Sequence, residues 1–223
     1  MASPIVCVLK KDNSIRLTCD FHYVNKYTVP NGFPMQNIDE VKLKVGKSNF
    51  IGVFNARSGY WQIKVCEEDQ WLTAFSIHDS LYEWTRVLFG MKNSGATFVT
   101  AIQMILKPIK SIAESYVDDM AVHSGDWHTH LRDIKRYLTA IRDSGLMLNH
   151  GECKFGKNSV KYVGHIIGSG RHEPDPERVQ AEVEMQRHTT KKQTRQVLGM
   201  FGFFRSYIPD FSTIAKPLTV LVW

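Results

Sequence analysis

The stretch Ser115-Tyr116-Val117-Asp118-Asp119-Met120 constrains this chain more than any other. An aromatic and a β-branched residue precede two adjacent carboxylates, and Met120, Ala121 and Val122 follow them. Strand formers on both sides of two turn formers predict a tight hairpin. One strand runs through Tyr116 and Val117, both aspartates sit at the turn, and a second strand returns to His123. Asp is a common turn residue, so taken alone the stretch could be a plain hairpin tip. It also crowds hard oxygen ligands at one strand end, which suits Mg²⁺, an ion that keeps waters and takes substrate phosphates as further ligands.

The rest of the chain has to decide between these readings. Its 223 residues can bury a full core, as one large domain or two small ones. A formal net charge of +6 favours a polyanionic partner. Basic residues crowd the end of the C-terminal third, over 187–223, with Arg187, Lys191, Lys192, Arg195, Arg205 and Lys216 set against Asp210. A solvated helix face would look the same. Cys7, Cys19, Cys66 and Cys153 have no CxxC spacing, and no secretory segment precedes them, so they read as reduced thiols of an intracellular, non-secreted protein. No apolar run approaches the ~18 residues of a membrane span, so no membrane partner is expected. The chain enters directly on a strand-like run, which reads as a piece of something longer.

Residues 4–10 and 15–21 read as two strands joined by Lys11-Asp12-Asn13-Ser14. Lys10 and Arg16 on this hairpin could be a charged edge or a flap that grips a triphosphate. Val29-Pro30-Asn31-Gly32-Phe33-Pro34 turns the chain into a helix over 36–46. Residues 49–54 form a continuous apolar run, as a strand buried on both faces would, ending at Asn55. Residues 72–77 and 81–88 read as a second strand pair. Phe89-Gly90-Met91-Lys92-Asn93-Ser94-Gly95 is a glycine-punctuated loop before a helix over 95–108. It permits close approach to a ligand, or it is only a helix entry. After the acidic hairpin, Asp126 caps a helix over 127–144 that Gly145 ends. Residues 159–168 read as a hairpin-like strand segment. Pro174 and Pro176 open a short helix to 186, and Thr190 with Gln193 starts a last helix over 191–206. The order predicts an α+β layer, an antiparallel sheet backed by helices. A zinc site at His123, His128 and His130 is rejected, because their spacing matches no zinc pattern and no Cys joins them.

Six segments now line up with one family. They are Arg16 to Asn25, Ser58-Gly59-Tyr60-Trp61-Gln62-Ile63, Phe89-Gly90-Met91-Lys92-Asn93, Tyr116-Val117-Asp118-Asp119, Tyr162-Val163-Gly164-His165, and Phe204 to Ser212. In this order and spacing the chain closely resembles the reverse transcriptase domain of gypsy-type long-terminal-repeat retrotransposons, as a fragment of a Pol polyprotein. The resemblance implies a right-hand polymerase fold. Residues 1–150 would form partial fingers and the palm; residues 151–223 would form the primer-grip region, thumb and start of the connection. It implies RNA-directed DNA synthesis from dNTPs on a primed RNA or DNA template, with two Mg²⁺ ions or Mn²⁺ in their place, about 3.5–4 Å apart. An oligomer with other Pol products and a site of action in a cytoplasmic particle or the nucleus also follow from it.

Residue by residue, the resemblance makes Asp118 and Asp119 catalytic and metal-binding, and Ala56 a backbone-carbonyl ligand. Lys10 and Arg16 would clamp the triphosphate, and Tyr60 would exclude ribonucleotides. Phe89 and Gly90 would pack under the nucleotide, and Gly164 and His165 would lie near the primer end. One position departs sharply: the family's first metal-binding Asp falls at Asn55. The amide keeps the shape and one carbonyl oxygen but loses the charge, which predicts a polymerase slowed by several powers of ten. Gly95 and Leu88 stand where the family has Pro, His22 stands where it has Arg, and the segment preceding Ser3-Pro4 is expected to be missing from the fingers. Two readings therefore stand: an impaired reverse transcriptase, and a catalytically inactive retroelement remnant that binds nucleic acid or protein. An RNA-dependent RNA polymerase shares the acidic hairpin, and Tyr60 argues against it.

Overall fold

The computed structural model describes residues 2–9, 13, 15–34, 36–183 and 190–222. The acidic hairpin lies at the end of a four-stranded antiparallel sheet. Two short strands, β1 (Ile5–Leu9) and β2 (Ile15–Cys19), pair first, followed by helices α1 (His22–Tyr27) and α2 (Ile38–Gly46). β3 (Phe50–Asn55) then enters the main sheet. A small ladder, β4 (Phe75–Ile77) with β5 (Ser80–Tyr82), precedes helix α3 (Ser94–Leu106). The hairpin is β6 (Ala113–Tyr116) and β7 (Asp119–Ser124), followed by helix α4 (Trp127–Ser144) and strand β8 (Lys154–Lys157). The sheet order is β6-β7-β3-β8.

β3 is buried on both faces because its alternating side chains meet two different cores. On one face Phe54, with Met120 and Val122 of β7, packs on Phe98 and Ile102 of α3 and Tyr137 and Ile141 of α4. The Phe54 and Tyr137 rings lie 4.5 Å apart, both fully buried. On the other face Ile51, Val53 and Ala121 meet Val41 and Val45 of α2 and the residues Val160, Tyr162 and Ile167. Those three belong to a second sheet, β9 (Val160–Tyr162), β10 (His165–Gly168) and β11 (Arg171–Pro174), in the order β11-β10-β9. Helices α5 (Pro176–Val183), α6 (Lys191–Phe203) and α7 (Phe211–Val222) complete the chain. A third, smaller core of Cys19, Phe21, Phe75 and Leu88 holds the N-terminal strands to the segment before α3.

The helix limits follow local chemistry. Asp126 accepts from the Thr129 N–H at 3.0 Å, and Gly145 takes φ +73°, so α4 spans 127–144 as its cap and stop residues predict. Thr190 and Gln193 form a reciprocal capping box at the start of α6. α6 ends at Phe203, short of the expected 206, and the segment 205–207 tightens into a 3₁₀ turn. The strand expected over 81–88 is confined to Ser80–Tyr82. Beyond it Trp84 N–H donates to Thr73 Oγ1 at 2.8 Å, and 85–87 changes partner to an isolated bridge with 63–65, where Val65 N–H donates to the Thr85 carbonyl at 3.0 Å and Val87 N–H to the Ile63 carbonyl at 2.9 Å. β8 and β11, α1 and α7 were not expected from sequence. β8 lies beyond the 150/151 division yet forms the edge strand of the sheet that carries the hairpin.

Candidate active site

The turn of the acidic hairpin is tighter than the sequence suggests. Tyr116 pairs with Asp119, so Val117 and Asp118 are the two turn residues and Asp119 already belongs to β7. Val117 takes φ +53°, a left-handed conformation that is strained for a β-branched side chain. The reading of both aspartates as turn residues is corrected accordingly.

Asn55 lies beside this hairpin. β3 pairs with β7 in a register that sets Asn55 directly opposite Asp119, and directly opposed residues share a face of the sheet. The backbone continues from there with alternating direction. The Asn55 carbonyl accepts from Asn149 N–H at 2.8 Å and Arg57 N–H donates to Met147 at 2.9 Å, both toward the 147–149 segment. Ala56, between them, therefore directs its own N–H and carbonyl to the opposite edge, on the side of the hairpin. Gln62 fastens this arrangement: its side chain donates to the Arg57 and Met147 carbonyls and accepts from Met147 N–H at 2.7 Å.

Crowding and burial set the electrostatics. Burial raises the Asp118 carboxyl above its ordinary range. Asp119 is also raised, by burial first and then by the charges of Asp118 and Glu152, while a hydrogen bond from Val163 N–H pulls the other way. Asp118 Oδ1 is buried without a hydrogen-bond partner. It lies close to Gly59, where an added Cβ would fall 3.1 Å from it and 2.9 Å from Phe98. An orphaned carboxylate oxygen, a second raised carboxylate and a backbone carbonyl directed to the same side fit a hard divalent cation. The donor set is short of charge, however. Among the described residues no three His, Cys, Asp or Glu side chains gather for a metal, and the position opposite Asp119 holds an amide.

A floor of aromatic rings adjoins the carboxylates. Tyr60 packs on Phe89 at 4.8 Å and edge-on against Phe98 at 5.4 Å. Its hydroxyl is raised by burial and then by the charge of Asp118, which places it in the same electrostatic neighbourhood. The loop at Phe89 and Gly90 is braced from the N-terminal segment. Thr18 Oγ1 donates to the Phe89 carbonyl at 3.1 Å, and Asn25 donates to the Gly90 carbonyl and accepts from Lys92 N–H, each at 2.7 Å. Gly90 itself takes φ +92°. Beyond its place at the end of the Arg16 to Asn25 segment the sequence gives Asn25 no role, because a half-buried helix asparagine carries no signal of the loop it reaches.

The other named residues divide. Gly164 lines a cleft of ≈ 330 Å³ with Tyr116, Val117, Asp118, Asp119, Val163, Arg178 and Phe203. His165, one residue on, is fully buried. It accepts or donates at Nδ1 with the Tyr207 hydroxyl at 3.0 Å and stacks on Phe203 at 4.8 Å, so its side chain supports the wall from behind. Lys10 and the Lys11-Asp12 turn lie outside the described residues, as does the side chain of Arg16; the backbone of Arg16 pairs with Val8. Two of the histidines weighed for zinc have other partners: His123 bonds Ser48 Oγ at 3.1 Å and His130 bonds Ser124 Oγ at 3.3 Å.

Comparison with known proteins accords with this geometry. The family described as reverse transcriptase (RNA-dependent DNA polymerase) matches residues 8–167. The chain is 34% identical over 208 residues, 93% of its length, to the Retrovirus-related Pol polyprotein from transposon 297 of Drosophila melanogaster. It is 33% identical over 92% of its length to the corresponding polyprotein from transposon gypsy of the same organism. In each case it spans 20% of the relative, so it matches about a fifth of those polyproteins. The fold is similar to the foamy viral protease-reverse transcriptase in complex with double-stranded DNA, with TM-score 0.91 and 26% identity over 100% of this chain and 39% of that one. It is also similar to the same enzyme in complex with RNA/DNA hybrid, with TM-score 0.86 and 26% identity over 100% of this chain and 30% of that one. With an acidic hairpin, an aromatic floor and this match across most of its length, the chain belongs to the reverse transcriptase family, RNA-directed DNA polymerases of the kind carried in retrotransposon Pol polyproteins.

Proposed function

We propose that this chain is the polymerase domain of a retroelement Pol protein, acting inside the cell, whose nucleotidyl transfer is impaired by Asn55. Residues 1–150 serve as partial fingers and palm, with β8 (Lys154–Lys157) completing the palm sheet, and the rest of 151–223 as primer-grip region, thumb and start of the connection. Association with other Pol products belongs to the same reading. The observation that carries it is the pairing of Asn55 with Asp119 on the strand next to the acidic turn.

Asp118, Asp119 and the Ala56 carbonyl would hold Mg²⁺, or Mn²⁺ with the same oxygen preference. When bound, such ions make a primer hydroxyl more acidic and neutralise a triphosphate. The protein's own share is positioning. Phe89 and Gly90 form the surface under a dNTP, and Lys10 and Arg16 draw its triphosphate. The Tyr60 ring, backed by Phe89 and Phe98, would press on the sugar and exclude a 2′-hydroxyl. The buried, unpartnered oxygen of Asp118 lies at the reacting end. The amide at 55 withholds one negative charge where charge matters most, and about 4 kcal/mol of lost stabilisation slows a reaction roughly a thousandfold.

The test is primer extension on a primed RNA template with dNTPs and Mg²⁺. The unmodified chain should extend poorly, and Asn55→Asp should raise the rate by roughly a thousandfold. Robust extension by the unmodified chain would overturn the role given to Asn55. Inactivity of Asn55→Asp would favour the second reading, a non-enzymatic remnant that binds nucleic acid or protein, to which the missing charge itself lends support.

A further inference from the structure

Across the cleft from the carboxylates stands a cation that no sequence pattern pointed to. The β9–β10 turn is Val163-Gly164, with φ +49° and +73°. At Gly164 the missing side chain leaves room that Arg178 of α5 fills: a Cβ there would fall 2.6 Å from Arg178 Nη1 and 2.9 Å from Cζ. The guanidinium also lies over the Phe203 ring, 5.6 Å from its centroid. Arg178 is exposed and, among the described residues, makes no ion pair. The acidic residues nearest in sequence are engaged elsewhere, since Asp175 and Glu177 both pair with Lys161, at 2.6 and 2.8 Å. The result is a guanidinium fixed by a ring on one side and a glycine turn on the other, facing the ≈ 330 Å³ cleft that Asp118 and Asp119 also line.

We propose that Arg178 binds a phosphodiester of the primer strand next to its 3′ end and so positions the terminal hydroxyl at Asp118. This rests on the polymerase reading above. The chemistry favours a phosphodiester because a planar guanidinium presents paired donors to phosphate oxygens. Phosphates brought against two carboxylates are repelled, and a cation on the facing wall offsets that repulsion at one defined point. Arg178 is a positioning residue: it would hold nucleic acid without reading sequence.

The experiment measures binding of a synthetic RNA/DNA primer–template by the unmodified chain and by Arg178→Gln over a range of KCl concentrations. Thermal unfolding of both checks that this exposed substitution leaves the fold intact. Arg178→Gln should weaken binding roughly tenfold for every primer sequence and lower the slope of log K against log salt by about one. A methylphosphonate placed at each of the terminal primer linkages in turn should weaken the unmodified chain at one linkage and have no further effect there on Arg178→Gln. Arg178→Lys should recover part of the affinity and the full slope. Unchanged affinity and slope in Arg178→Gln, with the unmodified chain binding well, would overturn the proposal alone. Failure of the unmodified chain to bind any primer–template would overturn the polymerase reading and this inference with it.

Discussion

The aromatic floor and the carboxylate end of the cleft are built by opposite means. The floor is cross-braced: Phe89 and Gly90 are tied by Thr18 and Asn25 across more than sixty residues of sequence, and Tyr60 is wedged between two phenylalanines. The carboxylate end is held by its strand ladder, and its own polar atoms are left short, with Asp118 Oδ1 buried and unpartnered. Shape is therefore kept in both regions, and on the proposed reading charge is deficient in only one. A site that has lost its shape needs many repairs, whereas one that has lost a charge needs one.

Beyond the Asn55→Asp reversion, the next largest effect is expected at Gly59, where the two regions meet. In the Asn55→Asp background, Gly59→Val should lower extension about a hundredfold, because the new side chain must displace Phe98 and Asp118 together. Single-turnover kinetics would measure it, and near-wild-type rates would mean the two regions are not mechanically joined at Gly59. A smaller effect is expected on the floor alone. Asn25→Ala removes two hydrogen bonds to the Gly90–Lys92 backbone, and should reduce kcat/KM for dNTP roughly tenfold, with metal dependence unchanged.

Smaller again is a gain of stability. Both aspartates are raised by burial, so the folded state holds their protons more tightly than the unfolded chain does. Their contribution is present at low pH and is lost as pH rises from the ordinary 3.8 through the raised values. Asp118→Asn should therefore raise Tm at neutral pH without metal, by about 2–4 °C, in thermal melts with chelator. The last effect, confined to acid pH, lies on the far wall. Burial holds His165 down at about 4, so its contribution is intact above 6.5 and is lost as pH falls between those values. Replacing it by Phe should flatten the acid limb of the stability curve measured by denaturant titration from pH 7 to 4.

Much of this fold could be read from local chemistry, and the rest fails for identifiable reasons. α4 was legible because its cap, its apolar stripe and its glycine stop agree. β3 was legible because a strand covered on both faces has no polar alternation to confuse it. α7 was not, since it carries Pro217 inside its span. β8 and β11 are four-residue strands rich in charge; β8 pairs with the distant β3, and β11 closes a hairpin on its neighbour β10 with no apolar alternation to mark it. At the site, Asp118, Asp119 and Tyr60 could be singled out only together with the motifs around them, since two aspartates alone also make a plain turn. The register opposite Asn55, the brace from Asn25 and the burial of His165 are tertiary facts that no spacing encodes.

The two turns that face each other over the cleft, at 117–118 and 163–164, each place a valine where the backbone favours glycine or asparagine. Such positions cost about 1–3 kcal/mol each. Directed evolution of this domain for heat resistance would therefore recover glycine or asparagine at 117 and 163 early, by relaxing the chain. At 117 the relaxed variant would loosen the one segment whose stiffness keeps Asp118 aimed, so survivors of a purely thermal screen would be the poorest starting points for rebuilding catalysis.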